Sequence, residues 1–198
     1  MTKRAFDILC ASLGLVLLSP VMGMIALWIK HDTPGDVFFR QERVGRFGRS
    51  FRIHKFRTMA SGASTLGLPI TTSHDTRITR TGKFLRKHKL DELPQLIDVL
   101  VGDMSLVGPR PEVPEFVAMY PPQVRDEVLS VRPGITDETS VRFRNEGVLL
   151  GSASDARKFY VETIMPLKLA SYLDYVRTRS FRRDFSILAR TALAIIRG

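Results

Sequence analysis

The feature that most constrains this chain is a long apolar stretch near its start, since no charged residue occurs from Ile8 to Ile29. As an α-helix this stretch would be about 33 Å long, enough to cross the hydrocarbon core of a bilayer. A buried core helix is the alternative interpretation, but so long a run without charge is unusual in a soluble domain. No Ala-x-Ala motif follows it, which argues against a cleaved signal peptide. We therefore expect a membrane-associated N-terminal helix.

The middle of this stretch contains Ser19 and Pro20. Proline removes a backbone donor and clashes with the preceding turn, and the Ser19 hydroxyl can satisfy a carbonyl that such a break frees. Cations flank both ends, at Lys3, Arg4, Lys30, Arg40 and Arg43. The positive-inside rule then gives no orientation, as expected for a helix that enters the bilayer and returns to the same face. These features favour a re-entrant helix broken at Ser19-Pro20, with a spanning helix as the alternative.

The charge balance restricts the partners. Thirty Lys and Arg against twenty Asp and Glu give a net charge of +10, which points to nucleic acid, phosphorylated substrates or anionic membrane lipid. Basic residues alternate with Phe47, Phe51 and Phe56, but no nucleic-acid-binding signature accompanies them, and the apolar N-terminus is foreign to such modules. We expect substrate phosphate and anionic lipid as partners, and no nucleic acid.

Several common site types are excluded. The single cysteine, Cys10, allows neither a disulfide framework nor a CxxC metal pair, and is typical of a reducing compartment. The four histidines lack HExxH spacing, and neither a Walker A loop nor GxSxG occurs.

We predict an α+β fold that is mainly helical and membrane-associated, with the re-entrant helix in 1–31 and a second domain in 32–198. Two short apolar runs on either side of the Gly45–Gly48 turn predict a small β-hairpin. A basic helix over Thr76–Leu90 is expected to bury Phe84 and Leu85.

Two C-terminal helices complete this prediction. Residues Asp155 to Arg177 predict a helix kinked at Pro166. From Phe181 onward, apolar residues form a stripe opposite several arginines, so this helix is amphipathic and can lie at a membrane interface or cap the core.

A carboxylate pair, Asp91-Glu92, closes a strongly basic run. The cations before it are Arg77, Arg80, Lys83, Arg86, Lys87 and Lys89. This pattern indicates carboxylate chemistry on an anionic substrate. A helix start is the plainer alternative, since acids and Pro94 suit a first turn, and both can hold because helix N-termini attract phosphate. Adjacent side chains point about 100° apart on a helix, so one acid could be a nucleophile or metal ligand while the other steers a proton or second ligand.

Further basic residues are candidates for substrate binding. Lys55 and Arg57 lie at the end of the second predicted strand, and we nominate both for substrate phosphate. Arg110 lies between two prolines that fix its backbone, which suits a phosphate clamp, although an exposed arginine in a stiff loop is the alternative. In the polar stretch that follows Thr136, Arg142, Arg144, Asn145 and Glu146 could contact a base or sugar.

Together these residues resemble the bacterial sugar transferase family, the monotopic phosphoglycosyl transferases. The similarity covers nearly the whole chain, and so many motifs in order are highly specific. The matching segments are Lys3-Arg4-Ala5-Phe6-Asp7, Ser19-Pro20, Arg40-Gln41-Glu42-Arg43-Val44-Gly45, Lys55-Phe56-Arg57-Thr58-Met59, Leu90-Asp91-Glu92-Leu93-Pro94-Gln95, Ser105-Leu106-Val107-Gly108-Pro109-Arg110-Pro111 and Arg132-Pro133-Gly134-Ile135-Thr136. The length resembles the small form with no added transmembrane domain.

The resemblance implies transfer of a sugar 1-phosphate from a UDP-sugar to polyprenyl phosphate, usually undecaprenyl phosphate, with release of UMP. It implies a ping-pong reaction through a covalent phosphosugar on Asp91, Mg²⁺ at Asp91, and a supporting role for Glu92. Charge neutralisation would come from Lys55, Arg86 and Arg110 with the metal. The expected place is the inner membrane of a bacterium, with the catalytic domain on the cytoplasmic face, as the first membrane step of polysaccharide or lipopolysaccharide assembly.

One departure concerns the run from Asp137 to Glu146, where many members have Gly and a Gln-containing segment. The resemblance therefore gives weaker support for sugar or base contacts in this loop, including those of Arg142 and Arg144. A non-catalytic membrane-anchored scaffold is the rival function, but the intact Asp91 and Glu92 argue against it. The sugar is not specified, and a homo-oligomer remains open.

Overall fold

The computed structural model describes residues 2–60, 62, 75–142 and 146–196, and most of them are helical. The helices are α1 (Thr2–Asp32), α2 (Arg80–Lys87), α3 (Gln95–Val101), α4 (Pro114–Val117), α5 (Pro122–Val128), α6 (Glu138–Arg142), α7 (Glu146–Gly151), α8 (Ala156–Phe159), α9 (Met165–Thr178) and α10 (Phe181–Ile196). The strands are β1 (Phe38–Val44), β2 (Ser50–Phe56), β3 (Ser105–Val107) and β4 (Gly134–Thr136). The predicted mainly helical fold with a small antiparallel hairpin is confirmed.

Helix α1 runs without interruption through Pro20. The Ser19 hydroxyl donates a 2.8 Å hydrogen bond to the Val16 carbonyl, one of the backbone groups near the proline. By length and composition α1 could cross a membrane, with a mean hydropathy of 2.2 in its most apolar window and little of that window buried. The predicted bend at Ser19-Pro20 stays a prediction.

One side of α1 packs on the rest of the protein both before and after Pro20. Before it, Ala11 is buried in a cluster with Val99 of α3 and Ile187 of α10. After it, Ile25 and Ile29 are buried with Phe56 and Leu85.

Polar contacts hold the two ends of α1 as well. Arg4 donates to the carbonyls of Val99 (2.6 Å) and Leu100 (3.0 Å), and Asp32 accepts from the Thr81 amide at 3.1 Å. Both ends of the helix are therefore attached to the same body.

The opposite side of α1 is apolar and exposed. Its large residues there are Leu9, Leu13, Val16, Leu17, Met24 and Leu27. Burial of apolar side chains is the main favourable term in folding, so an outward apolar row of this size needs an apolar environment.

The hairpin has the position that the sequence predicts. β1 and β2 pair antiparallel from Phe38 opposite Phe56 to Val44 opposite Ser50. A 3₁₀ turn at Arg46–Gly48 joins them, with a positive φ of 76° at Gly48.

The helix predicted over Thr76–Leu90 is present but shorter, since α2 covers only Arg80–Lys87. Thr79 caps α2 by accepting a 2.9 Å bond from the Gly82 amide, which is a typical N-cap contact. Leu85 is fully buried, but the expected burial of Phe84 is wrong, since it is 44% exposed. Neighbouring side chains on a helix diverge by about 100°, so Phe84 and Leu85 cannot both face the core.

A parallel pair of short strands was not predicted. β3 and β4 pair with Ser105 opposite Gly134 and Val107 opposite Thr136. The two segments approach closely, because a Cβ on Gly134 would lie 2.1 Å from the Gly108 amide nitrogen. This pairing brings the Pro109-Arg110-Pro111 turn beside the Arg132–Thr136 segment.

The C-terminal helices agree in position with the prediction. A π-helical turn at Tyr160–Ile164 joins α8 to α9, and Pro166 lies in the first turn of α9, where proline is tolerated. In α10, Ile187 is buried while Phe181, Phe185 and Leu193 are exposed. α10 therefore both closes the core and presents an apolar face.

Candidate active site

The two carboxylates nominated from the sequence lie on a short turn between two helices. Asp91 and Glu92 belong to a 3₁₀ turn, Leu90–Glu92, and α3 begins only at Gln95. The predicted helix start at Asp91 or Glu92 is therefore a few residues early. Asp91 is 2% exposed, which is rare for an aspartate without strong partners.

Lys55 and Arg110 supply those partners. The Lys55 ammonium lies 2.7 Å from Asp91 Oδ2 and 3.3 Å from Glu92 Oε1. The Arg110 guanidinium binds both oxygens of Glu92, with 3.3 Å from Nη1 to Oε2. Both cations were nominated from the sequence, and the structure brings them together at the carboxylate pair.

One oxygen of Asp91 is left over. Asp91 Oδ1 is buried and has no hydrogen-bond partner among the described residues. A buried polar atom is normally hydrogen-bonded, and exceptions call for an explanation such as a catalytic role or an absent ion. This oxygen is therefore available to an incoming group.

Electrostatics keep Glu92 ionised. Burial on its own would raise the pKa of Glu92, but the nearby charges of Arg110 and Lys55 outweigh it and hold the pKa well below the ordinary value. In turn, Glu92 raises the pKa of Arg110. The carboxylate of Glu92 therefore has no proton to give near neutral pH, and acts by holding cations.

The backbone explains why these groups meet. Lys55 is near the end of β2, which pairs with β1 and packs on α3. Arg110 follows β3, whose parallel pairing with β4 requires Gly108, because a Cβ there would lie 2.6 Å from the Arg132 carbonyl oxygen. A rigid turn of this kind presents the guanidinium in one place.

Arg86 and Arg57 have other partners. Arg86 Nε donates a 2.8 Å bond to Thr58 Oγ1, and the side chain borders the same cleft as Asp91. Arg57 is buried and donates to the Pro34 and Thr33 carbonyls, the latter at 2.8 Å. These bonds fix the segment that follows α1, so contact of Arg57 with substrate stays a prediction.

The two remaining nominated residues, Arg142 and Arg144, lie at or beyond the end of the described segment 75–142. Arg142 is the last residue of α6, and only its backbone is described. Arg144 lies outside the described residues.

Another part of the cleft lining, which includes Glu112, Tyr160 and Lys168, was missed from the sequence, although Glu146 beside it is one of the residues named there as a possible base or sugar contact. Lys168 is buried and lies 2.7 Å from Glu146 Oε2 and 5.0 Å from the ring centre of Tyr160. The Tyr160 hydroxyl donates a 2.8 Å bond to Glu112, which lies 3.8 Å from Arg43. The available signal was a lysine among apolar residues of a helix.

The cleft that these residues border has a volume of about 1990 Å³. Its lining includes Lys55, Arg86, Lys89, Asp91 and Arg110. Gly14 and Leu18 of α1 and Thr191 and Ala194 of α10 also border it, so the cleft reaches the apolar helices.

The donor set around Asp91 bears on the predicted Mg²⁺ site. No group of three or more His, Cys, Asp or Glu side chains that could hold a metal occurs among the described residues. Mg²⁺ is often bound by one or two carboxylates together with substrate phosphates, however. The unpartnered Asp91 Oδ1 fits that manner of binding.

Comparison with known proteins now gives the class. The family model described as bacterial sugar transferase matches residues 1–198, and the chain belongs to this family.

Three curated relatives show the range of the family. UDP-N-acetylgalactosamine-undecaprenyl-phosphate N-acetylgalactosaminephosphotransferase of Aeromonas hydrophila is 38% identical over 99% of this chain and 44% of its own length. UDP-glucose:undecaprenyl-phosphate glucose-1-phosphate transferase of Caulobacter vibrioides is 35% identical over 99% of this chain and 70% of its own. Undecaprenyl-phosphate galactose phosphotransferase of Salmonella typhimurium is 36% identical over 98% of this chain and 40% of its own length.

The chain thus spans less than half of two of these relatives and 70% of the third. Their names carry three different sugars at nearly equal identity, so similarity alone does not select one for this chain.

Proposed function

We propose that this protein transfers a sugar 1-phosphate from a UDP-sugar to polyprenyl phosphate, such as undecaprenyl phosphate, and releases UMP. The observation that carries the proposal is Asp91 Oδ1, a buried carboxylate oxygen without a partner among the described residues, in a cleft bordered by cations. Phosphoryl transfer depends mainly on alignment and charge neutralisation, which such a cleft provides. The names of the relatives, all undecaprenyl-phosphate transferases, support it.

The proposed reaction has two substitutions at one phosphorus. First, an Asp91 oxygen bonds to the sugar-linked phosphorus of the UDP-sugar. The bond between that phosphorus and the oxygen that bridges the two phosphorus atoms breaks at the same time, and UMP leaves with the electron pair of the broken bond. Then an oxygen of polyprenyl phosphate bonds to the same phosphorus, and the Asp91 carboxylate is released. A covalent intermediate of this kind lets a water-soluble and a lipid substrate use the site in turn.

The surrounding side chains have separate tasks in this scheme. Lys55 holds Asp91 Oδ2, which leaves Oδ1 as the oxygen free to attack. Glu92 stays ionised and holds Lys55 and Arg110 in place. Mg²⁺, held beside Asp91 mainly by the substrate phosphates, would neutralise their charge when bound.

Helix α1 supports a place at the membrane. Its outward row of apolar side chains is exposed, while both ends are bonded to the same body. A helix that crossed the bilayer would separate its ends by about 30 Å of hydrocarbon and draw the attached body into it. We therefore propose that α1 enters the cytoplasmic leaflet of the inner membrane and returns, and that the exposed apolar face of α10 lies at the interface.

Intact mass after rapid quench tests the chemistry. The protein is mixed with Mg²⁺ and UDP-glucose, UDP-galactose or UDP-N-acetylgalactosamine without lipid acceptor. We expect a mass increase equal to one phosphosugar with the correct donor, its absence in Asp91→Asn, and its retention in the exposed control Asp103→Asn. UMP release only when polyprenyl phosphate is present, without adduct, would instead support direct transfer. Transfer at a normal rate by Asp91→Asn would contradict the assignment of Asp91.

A further inference from the structure

Two further carboxylates of the cleft lining, Glu112 and Glu146, are held by buried donors. The Lys168 ammonium lies 2.9 Å from Glu146 Oε1 and 2.7 Å from Glu146 Oε2. The Tyr160 hydroxyl donates a 2.8 Å hydrogen bond to Glu112, and the Lys168 ammonium lies 5.0 Å from the centre of the Tyr160 ring. One continuous chain of contacts therefore fixes both acids.

The donors and the acids in this chain of contacts differ in exposure. Tyr160 is 3% exposed and the Lys168 side chain 7%, whereas the Glu146 side chain is 25% exposed. Burial raises the pKa of Tyr160, and Glu112 raises it further, so the hydroxyl keeps its proton and donates it to Glu112. Each carboxylate oxygen can accept more than one hydrogen bond, so both acids can also accept from a ligand.

Fixed acids do not suit the phosphates of a substrate, because like charges repel. Those phosphates are suited to cations of the lining such as Lys55 and Arg110. Around Glu112 and Glu146 the charges are balanced instead, since the acids have Arg43 and Lys168 as their partners. This part of the lining fits an uncharged portion of the substrate that donates hydrogen bonds.

A nucleotide sugar carries such donors mainly as the hydroxyl groups of its two sugar rings. Dinucleotide-binding proteins use one acidic side chain in this way, to accept from a ribose hydroxyl. A purely structural link between α7 and α9 is the alternative role for the Lys168–Glu146 pair. A buried ion pair contributes little net stability, however, because the cost of desolvation offsets the attraction.

We propose that Glu146 and Glu112 accept hydrogen bonds from neighbouring hydroxyl groups of the nucleotide sugar, on the transferred sugar or on the ribose, and that Lys168 and Tyr160 are positioning residues for the two acids. This proposal rests on the proposed transferase function, for which it names the part of the donor substrate that these side chains recognise. Cations of the cleft then bind the phosphates, while the two held acids bind hydroxyls.

Calorimetric binding in an Asp91→Asn background tests this, because the donor is not consumed there. The probes are UDP-glucose, UDP-galactose, UMP and 2′-deoxy-UMP. The test variant, Glu146→Gln with Lys168→Met, removes both charges and so leaves no buried charge unpaired. Its control, Glu127→Gln with Arg177→Met, removes an exposed ion pair that also joins α9 to another helix. Neither of these two described residues borders the cleft.

We expect the test variant to bind the UDP-sugars roughly 10–100-fold more weakly, as for the loss of a hydrogen bond to a charged group. Weaker UDP-sugar binding with unchanged UMP binding places the hydroxyls on the transferred sugar. Weaker binding of UMP, with a smaller loss for 2′-deoxy-UMP, places them on the ribose. Unchanged binding of every probe, an equal loss for UMP and 2′-deoxy-UMP, or a lower unfolding temperature as the only change would overturn the proposal.

Two single substitutions test the positioning role of Lys168. Lys168→Arg keeps a cation beside Glu146 and should retain most of the affinity for the UDP-sugars. Lys168→Met leaves the Glu146 carboxylate in place but without its donor, and should lose affinity toward the level of the test variant. Full affinity in Lys168→Met would contradict this role.

The two proposals can fail separately, because calorimetry needs no turnover. Binding that depends on Glu146 in a protein without transferase activity would uphold the hydroxyl site and reject the reaction. Normal transfer, together with probe binding that ignores Glu146 and Lys168, would do the reverse.

Discussion

Lys55 Nζ lies 2.7 Å from Asp91 Oδ2, so a strand residue directly holds one oxygen of the aspartate that follows α2. The same ammonium lies 3.3 Å from Glu92. Lys55 is therefore the one side chain, among those described, that contacts both acids. Its contribution to catalysis is expected to be large.

Lys55→Met is expected to lower kcat/KM by roughly 10²–10³-fold, the usual loss when one preorganised electrostatic contact is removed. Without its ammonium, the buried Asp91 carboxylate loses the counterion that holds its Oδ2 oxygen. UMP release at saturating and low UDP-sugar measures the effect. The kcat/KM of Lys55→Arg should lie between those of Lys55→Met and the wild type. The kcat/KM of Arg49→Gln, on the exposed end of the hairpin, should equal that of the wild type. Full activity in Lys55→Met would exclude this role.

The depressed pKa of Glu92 makes a prediction about acid stability. A carboxyl group with a lower pKa in the folded chain stabilises the fold above its unfolded pKa, and this contribution is lost as pH falls through the folded value. Glu92→Gln lacks it and leaves Arg110 without its partner, so it should lose about 3–5 kcal/mol near neutral pH. The difference from wild type should narrow as pH drops below the ordinary glutamate pKa of 4.5.

Thermal unfolding in one detergent from neutral pH into the acid range measures this. The exposed Glu162→Gln serves as control and should follow the wild-type curve. A constant gap between Glu92→Gln and wild type at all pH values would show that the charge of Glu92 is not responsible.

The attachment of both ends of α1 predicts its topology. Cys10 is the only cysteine in the chain, so a Cys10→Ser background allows single labels at Thr2→Cys and Asp36→Cys. Because Arg4 and Asp32 are bonded to the same body, both sites should react with an impermeant maleimide from the cytoplasmic side. Labelling of the two sites from opposite sides would establish a spanning helix instead.

Gly82 is predicted to be intolerant of a side chain. A Cβ there would lie 2.0 Å from the Thr58 carbonyl oxygen, so Gly82→Ala must move α2 away from the end of β2. We expect a loss of about 3 kcal/mol in unfolding free energy and a lower kcat/KM, since Arg86 would lose its contact with Thr58. Gly23→Ala is the matched control in a helix, because nothing lies within 4 Å of its added Cβ.

The sequence predicts this molecule best where a local pattern has one structural meaning. Two apolar runs around Gly45–Gly48 can form little besides a hairpin, and they do. The long apolar helix follows from length and composition alone. Lys55 and Arg110 were nominated by charge and by flanking prolines, and the fold brings both to Glu92.

What the sequence does not predict depends on contacts between distant segments. β3 and β4 have three residues each, too few to show alternation, and only their pairing defines them. Tyr160 and Lys168 lie about two helical turns apart in one helical stretch, but nothing in the sequence places Glu112 beside them, because that contact joins distant parts of the chain. The prediction that Phe84 is buried was wrong because adjacent side chains on a helix point in different directions, so Leu85 faces the core and Phe84 does not.

The packing of α1 also determines how a water-soluble form of this protein could be made. Removal of residues 1–31 would strip Ala11, Ile25 and Ile29 from two of the hydrophobic clusters and leave their partners open to solvent. Truncation should therefore yield aggregates rather than a smaller enzyme. The better design keeps the inner face of α1 and replaces its outward leucines, valine and methionine with Glu, Lys and Gln, which turns an apolar helix into an ordinary amphipathic one.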